Sequence, residues 1–188
     1  MDIKDLQDKL FKTFDKNSGY TMDDFNKELE SLNLKKDNYK IELKFVNKSN
    51  NEDPSFGSDF ASGFDLRAYL PDGKPFVLKA RGNAIIETGL YFDIPNSMEI
   101  QVRPRSGIAF KNNIICINGT VDQDYVGEVK LKLFNLGDED FTINNGDRMA
   151  QGILAGCLNK QLVNLNKVDK IEKITERSES GFGSTGIK

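Results

Sequence analysis

Histidine is absent from this sequence of 188 residues. Its absence excludes a Ser-His-Asp triad, a Cys-His pair and zinc sites built on histidine. Cysteine is scarce: Cys116 and Cys157 lie far apart and outside any CxxC spacing, and we expect two buried free thiols rather than a disulfide or a metal site. Any catalysis must therefore use carboxylates, arginines, hydroxyls, backbone amides or a cation held through oxygen atoms.

Long apolar runs are also missing. No segment approaches the roughly 20 residues that cross a bilayer, and the first residues, MDIKDLQDKL, contain no apolar signal segment. The formal net charge of −3 disfavours a general nucleic-acid or membrane-surface binder, because phosphate backbones and anionic lipids do not attract such a surface. We expect no membrane and no direct nucleic-acid partner. The expected location is the cytoplasm, or the interior of a host cell if a virus or phage encodes the chain.

Residues 1–39 carry apolar side chains at helical spacing, in two groups separated by the turn KNSGY. The groups are Leu6, Leu10, Phe11 and Phe14, and then Met22, Phe25, Leu29 and Leu32. This pattern predicts a helical hairpin as an N-terminal extension of a single domain.

After the hairpin the apolar pattern changes to a period of two. In MEIQVR, Met98, Ile100 and Val102 fall on one face, and IELKFV and VKLKLF alternate in the same way. The turn signals PDGK, IPNS, NLGDED and NNGD separate these runs, and no helical pattern intervenes. This organisation predicts an all-β sandwich or barrel over residues 40–176. A flexible, glycine-rich C-terminal arm is predicted over residues 177–188.

The stretch RPRSGIAF, residues 103–110, directly follows an alternating strand. Arginine forks, the hydroxyl of Ser106 and open backbone amides near Gly107 suit a bound anion, and phosphate is the natural match. The alternative interpretation is a turn with solvated arginines.

The stretch NGTVDQDYVGEV, residues 118–129, is predicted to form a hairpin bounded by glycines. Asp122 and Asp124 would then share one face, with Tyr125 beside them. One carboxylate could deprotonate a water while the other helps to hold a cation, and the tyrosine ring could form the floor of a sugar site. The alternative is an acidic turn with a core tyrosine.

Two other stretches carry potential ligand groups. In NNGDRMAQGIL, residues 144–154, a turn leads into a strand with Asp147, Arg148 and Gln151, and a surface ion pair is the favoured interpretation. In the arm, phosphate donors and one aromatic ring accompany glycines that free the backbone, and disorder is favoured when the arm is taken alone. The chain has neither a GxxxxGK phosphate loop nor a GxGxxG turn after a strand, so any nucleotide phosphate would be held by another architecture.

Together these stretches resemble the five motifs of the trimeric deoxyuridine triphosphatases (dUTP pyrophosphatases, dUTPases). In chain order they are ASGFDLRA (61–68), PRSGIA (104–109), GTVDQDYVGEV (119–129), GDRMAQ (146–151) and RSESGFGSTG (177–186). The resemblance implies an all-β jelly-roll or β-clip subunit and a homotrimer with three active sites at subunit interfaces. The fifth motif would close over the substrate as a lid from another subunit.

The reaction that the resemblance implies is hydrolysis of dUTP to dUMP and pyrophosphate. Asp122 would be the catalytic residue that holds the attacking water, and Tyr125 would pack under the deoxyribose and leave no room for a ribose 2′-hydroxyl. Mg²⁺ would be held mainly through the substrate phosphates and waters, with Asp65 as a candidate group just outside the metal's ligands.

The resemblance also implies the substrate contacts. Backbone groups would read the uracil edge at Asn118, Gly119, Thr120 and Val121. The phosphates would be bound from a neighbouring chain by Arg105, Ser106 and Gly107, with support from Gln151. The arm would contribute Phe182, stacked over the uracil, and a phosphate grip at Arg177, Gly183, Ser184 and Thr185.

The sequence departs from the family pattern in the third and fifth motifs. Glu179 brings a negative charge to the fifth motif, and Val126 stands where a basic residue is common. Two alternatives stay open. One is a dCTP deaminase-type enzyme of the same fold, and the other is a nucleotide-gated interaction module whose hairpin over residues 1–39 engages an unknown protein partner.

Overall fold

The computed structural model describes residues 41–172, where the chain forms eleven strands and one short helix. The strands are β1 (Lys44–Asn47), β2 (Phe64–Arg67), β3 (Phe76–Leu78), β4 (Asn83–Ile86), β5 (Leu90–Asp93), β6 (Met98–Pro104), β7 (Ile114–Cys116), β8 (Gly119–Val121), β9 (Leu131–Asn135), β10 (Phe141–Ile143) and β11 (Arg148–Gly156). The helix α1 (Ser106–Asn112) lies between β6 and β7. The predicted hairpin over residues 1–39 and the arm over residues 177–188 lie outside the described residues.

The strands pair antiparallel throughout the described range. A four-stranded sheet has the order β2-β11-β6-β8, and a three-stranded sheet has the order β4-β9-β7. Two smaller sheets are the pairs β1-β5 and β10-β3. Because β2 pairs with β11, which is distant in the chain, the strands cross over between neighbours rather than following one another in a meander. The all-β prediction is confirmed.

The core lies where alternating strands turn their apolar sides inward. On β6, Ile100 is fully buried and Val102 nearly so, while Arg103 is exposed, and on β9 both Leu131 and Leu133 are fully buried. Complete burial of one such aliphatic side chain contributes roughly 1.5–3 kcal/mol. The faces predicted from the period-two spacing of these two strands are therefore confirmed.

Helix α1 is not predicted by the alternation. None of its residues is buried, so it carries no apolar stripe of the kind that marks a helix in a sequence. It ends at Asn113, whose φ of +57° lies in the left-handed region and whose N–H donates to the carbonyl of Ala109. The helix begins immediately after Arg105, so it sets the direction in which the chain leaves β6.

The two cysteines are free thiols, as predicted. Cys116 on β7 is buried, whereas Cys157, just after β11, is only half-buried. Burial raises the pKa of the Cys116 thiol to about 11. Within residues 41–172, no helix has the length and apolar character needed to cross a membrane.

Candidate active site

A tight turn follows β8 and carries two of the predicted site residues. The N–H of Tyr125 donates to the carbonyl oxygen of Asp122 at 3.1 Å, which closes the turn. The predicted second strand of this hairpin does not form: β8 pairs with β6, and the chain has no strand between the turn and β9. Without that strand, period-two spacing does not apply to Asp122 and Asp124, and the prediction that they share one strand face is wrong.

Asp122 and Tyr125 line a cleft of about 380 Å³, called here the tyrosine cleft. Its wall also includes the residues of β8 and two residues beyond the turn, Glu128 and Val129. The volume falls in the range of small-molecule sites, which are typically about 300–1,000 Å³. The turn therefore presents a carboxylate and an aromatic ring to a space in which a nucleoside can fit.

Tyr125 is held on this turn by hydrogen bonds from both its backbone N–H and its side-chain hydroxyl. Its hydroxyl donates to the carbonyl oxygen of Glu128 at 2.9 Å. Its ring lies directly against Gly127, where an added Cβ would come within 2.5 Å of the ring carbon Cζ. The residue is 47% exposed, so the alternative of a core tyrosine is wrong. One side of the ring is available to a ligand.

A second group of predicted residues meets at the end of the four-stranded sheet. The carboxylate of Asp65 on β2 contacts Arg105 Nε at 3.2 Å through Oδ1, and contacts Arg148 Nη1 on β11 at 3.2 Å through Oδ2. Arg105 Nη1 also donates to the carbonyl oxygen of Arg148 at 3.1 Å. One carboxylate facing two guanidinium groups leaves a net positive charge, which favours an anion such as phosphate. The ion pair expected at the start of this strand is present, with Asp65 as the partner of Arg148.

Ser106 and Gly107 begin α1, next to this charged group, and both are exposed. The first N–H groups of a helix have no partner within the helix, so they are free to donate to an anion. Nothing lies within 4 Å of a Cβ placed on Gly107, so the space around it is open.

Gln151 connects the charged group to β8. Its Nε2 donates to the carbonyl oxygen of Pro104 at 3.0 Å. It also lines a cleft of about 470 Å³ together with Asn118, Gly119 and Thr120. Gly119 and Thr120 line the tyrosine cleft as well, so β8 contributes to both spaces.

Gly63 is a site residue that the sequence reasoning missed. A Cβ at this position would lie 2.7 Å from Gln151 Oε1, so only glycine leaves that side chain undisturbed. Its presence inside the stretch ASGFDLRA was the available signal.

The side chains suit a divalent cation held by a ligand rather than by the protein alone. Within residues 41–172, no group of three or more acidic, cysteine or histidine side chains is placed to hold a metal ion. Both oxygens of Asp65 are already engaged by arginines. Mg²⁺ binds through oxygen and usually keeps waters and substrate phosphates among its ligands. A magnesium ion bound here would therefore take most of its ligands from waters and a bound phosphate, with Asp65 outside its direct ligands. The predicted arm residues Arg177, Phe182, Gly183, Ser184 and Thr185 lie outside the described residues.

Solved structures establish the class of fold. The dUTPase of Staphylococcus bacteriophage 80alpha, solved with dUPNHPP, matches with a TM-score of 0.70 at 22% identity, covering 79% of this chain and 100% of that one. A mutant dUTPase from phage phi11 of S. aureus, described as coordinating a structural Mg(II) ion, matches with a TM-score of 0.62 at 19% identity, covering 71% and 100%. The protein has the β-clip or jelly-roll fold of these structures, as predicted.

The sequence comparisons define the family. The dUTPase family profile matches residues 49–186, a range that includes the fifth motif. The deoxyuridine 5′-triphosphate nucleotidohydrolase of Caulobacter vibrioides is 48% identical over 136 residues, 71% of this chain and 85% of the relative. The enzyme of the same name from Finegoldia magna is 42% identical over 148 residues, 78% of this chain and 99% of the relative. The chain belongs to the dUTPase family, which confirms the resemblance seen in its motifs.

Proposed function

We propose that this protein hydrolyses dUTP to dUMP and pyrophosphate and so helps to keep uracil out of DNA. Membership of the dUTPase family supports this reaction. The observation that carries the proposal is the turn after β8, which places the carboxylate of Asp122 and the ring of Tyr125 in one cleft of nucleoside size.

The chemistry follows from a carboxylate beside a triphosphate. Asp122 orients a water for in-line attack on the α-phosphorus and accepts its proton, while the bond to the pyrophosphate oxygen breaks. The uracil edge meets backbone groups of Asn118, Gly119, Thr120 and Val121. The deoxyribose lies over the exposed side of Tyr125. A bound Mg²⁺ would offset the negative charge that develops on the phosphate oxygens.

The triphosphate binds at the arginine-rich end of the four-stranded sheet. Arg105 Nε contacts Asp65, and Nη1 donates one hydrogen to the carbonyl oxygen of Arg148. Nη2 therefore remains to donate to phosphate. Ser106 and Gly107 add a hydroxyl and backbone amides, and Gln151 supports the same side. Asp65 sets the position of Arg105 and would stand outside the direct ligands of a bound Mg²⁺.

The active form proposed is a homotrimer in which these groups come from different subunits. In that arrangement, Arg105 and its neighbours on one subunit face the tyrosine cleft of the next. The arm closes the site with Phe182 over the uracil and with Arg177, Gly183, Ser184 and Thr185 on the phosphates. Its closure excludes bulk water from the reacting atoms. A soluble nucleotide as substrate is consistent with an intracellular location. We also propose a protein partner for residues 1–39.

A substrate panel tests the proposal. Purified full-length protein with Mg²⁺ should release pyrophosphate from dUTP and little from UTP, dTTP or dCTP. Asp122→Asn keeps the size of the side chain but removes its basicity, so it should lower kcat by about 10²–10⁴-fold while the chain still binds dUTP. Equal turnover of all four nucleotides would exclude the assignment, and ammonia release from dCTP would indicate the deaminase alternative instead.

A further inference from the structure

We propose that Glu128 positions Tyr125 and thereby determines how strictly the site selects deoxyribose over ribose. The inference rests on the proposed function, because the sugar in question is that of dUTP. Glu128 would act only through Tyr125, so it is a positioning residue and not a catalytic one.

The carboxylate of Glu128 ties the segment after the turn to the connection between β4 and β5. Its Oε1 accepts hydrogen bonds from the N–H of Thr88 at 3.2 Å and from the N–H of Gly89 at 2.8 Å. The side chain is only 13% exposed, and its Oε2 faces Lys130 Nζ at 3.4 Å. Both oxygens are therefore engaged within the protein rather than free for a ligand.

The connection between β4 and β5, whose amides donate to Glu128, is itself held in place by close contacts. Gly89 has a φ of +68°, and a Cβ there would lie 2.7 Å from the backbone nitrogen of Ser49, so the site requires glycine. Thr88 is 1% exposed, and its hydroxyl donates to the carbonyl oxygen of Val129 at 2.5 Å. The Val129 N–H in turn donates to the carbonyl oxygen of Leu90 at 2.9 Å. These bonds hold residues 128 and 129 in one place relative to the core.

The carbonyl oxygen of Glu128 is the group that accepts the Tyr125 hydroxyl. The ring is thus held at its backbone end by the bond to Asp122 and at its hydroxyl end by Glu128. Gly127 lies beneath the ring and leaves space for it only because it has no Cβ. If the Glu128 carboxylate is lost, the segment that carries this carbonyl loses its bonds to the Thr88 and Gly89 amides and keeps only the bonds made by the backbone of Val129, so the ring can tilt.

A tilted ring changes the room available under the sugar. In the proposed binding mode, Tyr125 would distinguish deoxyribose from ribose by leaving no space for one additional oxygen, so a small displacement would be enough to admit it. The effect of Glu128 should consequently be larger on the ratio of the two substrates than on turnover of dUTP itself. A residue that only stabilised the fold would reduce both activities together.

The experiment measures kcat/KM for dUTP and for UTP with full-length wild type, Glu128→Ala, Glu128→Gln and Tyr125→Phe. In Glu128→Ala the dUTP:UTP ratio should fall about tenfold. Glu128→Gln should keep the ratio within about twofold, because its carboxamide oxygen still accepts both amide hydrogens. Tyr125→Phe should lower the ratio as Glu128→Ala does, because it removes the same hydroxyl bond. The double variant should be no worse than either single variant, since both changes break one chain of contacts.

The outcomes separate this inference from the proposed function. A wild type that releases no pyrophosphate from dUTP would refute the function. A wild type that discriminates well, together with a Glu128→Ala variant of unchanged ratio or an additive double variant, would refute the inference alone. If Glu128→Ala does not fold, Glu128→Asp takes its place, because a side chain shorter by one methylene withdraws the carboxylate from the same amides. Glu128→Asp should then lower the dUTP:UTP ratio of kcat/KM, and an unchanged ratio would overturn the inference.

Discussion

The carboxylate of Asp65 contacts the guanidinium of Arg105 at 3.2 Å, which joins β2 to the residue just before α1. Its other oxygen contacts Arg148 on β11 at the same distance. Since the Asp65 side chain is 13% exposed, these pairs are screened less by water and salt than pairs on the open surface. Residues from three sequence motifs are thus fixed together within one chain.

Replacing Asp65 with Asn should weaken phosphate binding, because Arg105 and Arg148 lose their common partner. We expect KM for dUTP to rise about tenfold and the free energy of unfolding to fall by about 1–2 kcal/mol. Steady-state kinetics and urea unfolding measure the two effects. The matched control is Asp138→Asn, which breaks the exposed pair between Arg81 and Asp138 and should change stability by less than about 0.5 kcal/mol. Unchanged KM in Asp65→Asn would contradict the proposed arrangement.

Gly152→Ala should destabilise the fold without touching the proposed site. A Cβ at this buried position of β11 would lie 2.5 Å from the Phe64 ring and 3.3 Å from Ile100 Cγ2. Neither neighbour can withdraw freely from the packed core, so the free energy of unfolding should fall by about 1–3 kcal/mol. Gly57→Ala, with nothing within 4 Å of its Cβ, is the control and should stay within about 0.5 kcal/mol of wild type. Equal stability of the two variants would show that the core accommodates the methyl group.

Gly63→Ala should alter substrate binding more than stability. The atom it meets most closely, Gln151 Oε1 at 2.7 Å, is the end of a flexible side chain that can swing away from Pro104, and Gln151 Cβ at 3.2 Å needs to shift by only a few tenths of an ångström. We expect KM for dUTP to rise severalfold, about as much as in Gln151→Ala. The free energy of unfolding should stay within about 0.5 kcal/mol of the wild-type value. The double variant should equal the single variants, because both remove one interaction. Additive effects on KM would mean that Gly63 acts independently of Gln151.

The two thiols should differ sharply in reactivity. Only the thiolate reacts, and with a pKa raised to about 11 by burial, roughly one Cys116 thiol in a thousand is ionised at pH 8. A thiol reagent should therefore label Cys157 quickly and Cys116 only on unfolding, and Cys157→Ser should abolish the fast phase. The ordinary pKa of 9.0 is lower than the folded value, so the folded chain keeps this proton between pH 9 and 11. The contribution of Cys116 to stability then falls as the pH rises through that range. Equal labelling rates for both thiols would contradict the buried position.

The sequence predicted those features that depend on local spacing. Alternation identified the inward faces of β6 and β9, because a strand's side chains point to opposite faces in turn. Motif content identified Asp65, Arg105, Asp122 and Tyr125 as candidates. Helix α1 was not predicted because none of its residues is buried, so its sequence shows no helical apolar period. The second strand of the β8 hairpin was predicted wrongly because Gly119 and Gly127 were interpreted as the ends of two paired strands.

Contacts between distant segments could not be derived from spacing. Nothing in the sequence indicates that Glu128 meets the amides of Thr88 and Gly89, since both partners are backbone groups that every residue carries. In the same way, the sequence favours a surface ion pair at Arg148 but does not identify its partner, because Asp65 comes beside it only when β2 and β11 pair. The register of the sheet, which is a property of the whole chain, decides these neighbours.

Strand β8 lies at the margin of its sheet, with β6 on one side and no strand on the other within residues 41–172. In the proposed binding mode, a nucleobase docked along that margin would extend the ladder of amide and carbonyl groups as an extra strand does. Its identity would then be checked by the peptide backbone, whose hydrogen-bonding groups do not change when a side chain is replaced. The side chain of Thr120 could consequently vary without altering which base is accepted, provided that the pairing of Gly119 with Val102 is kept.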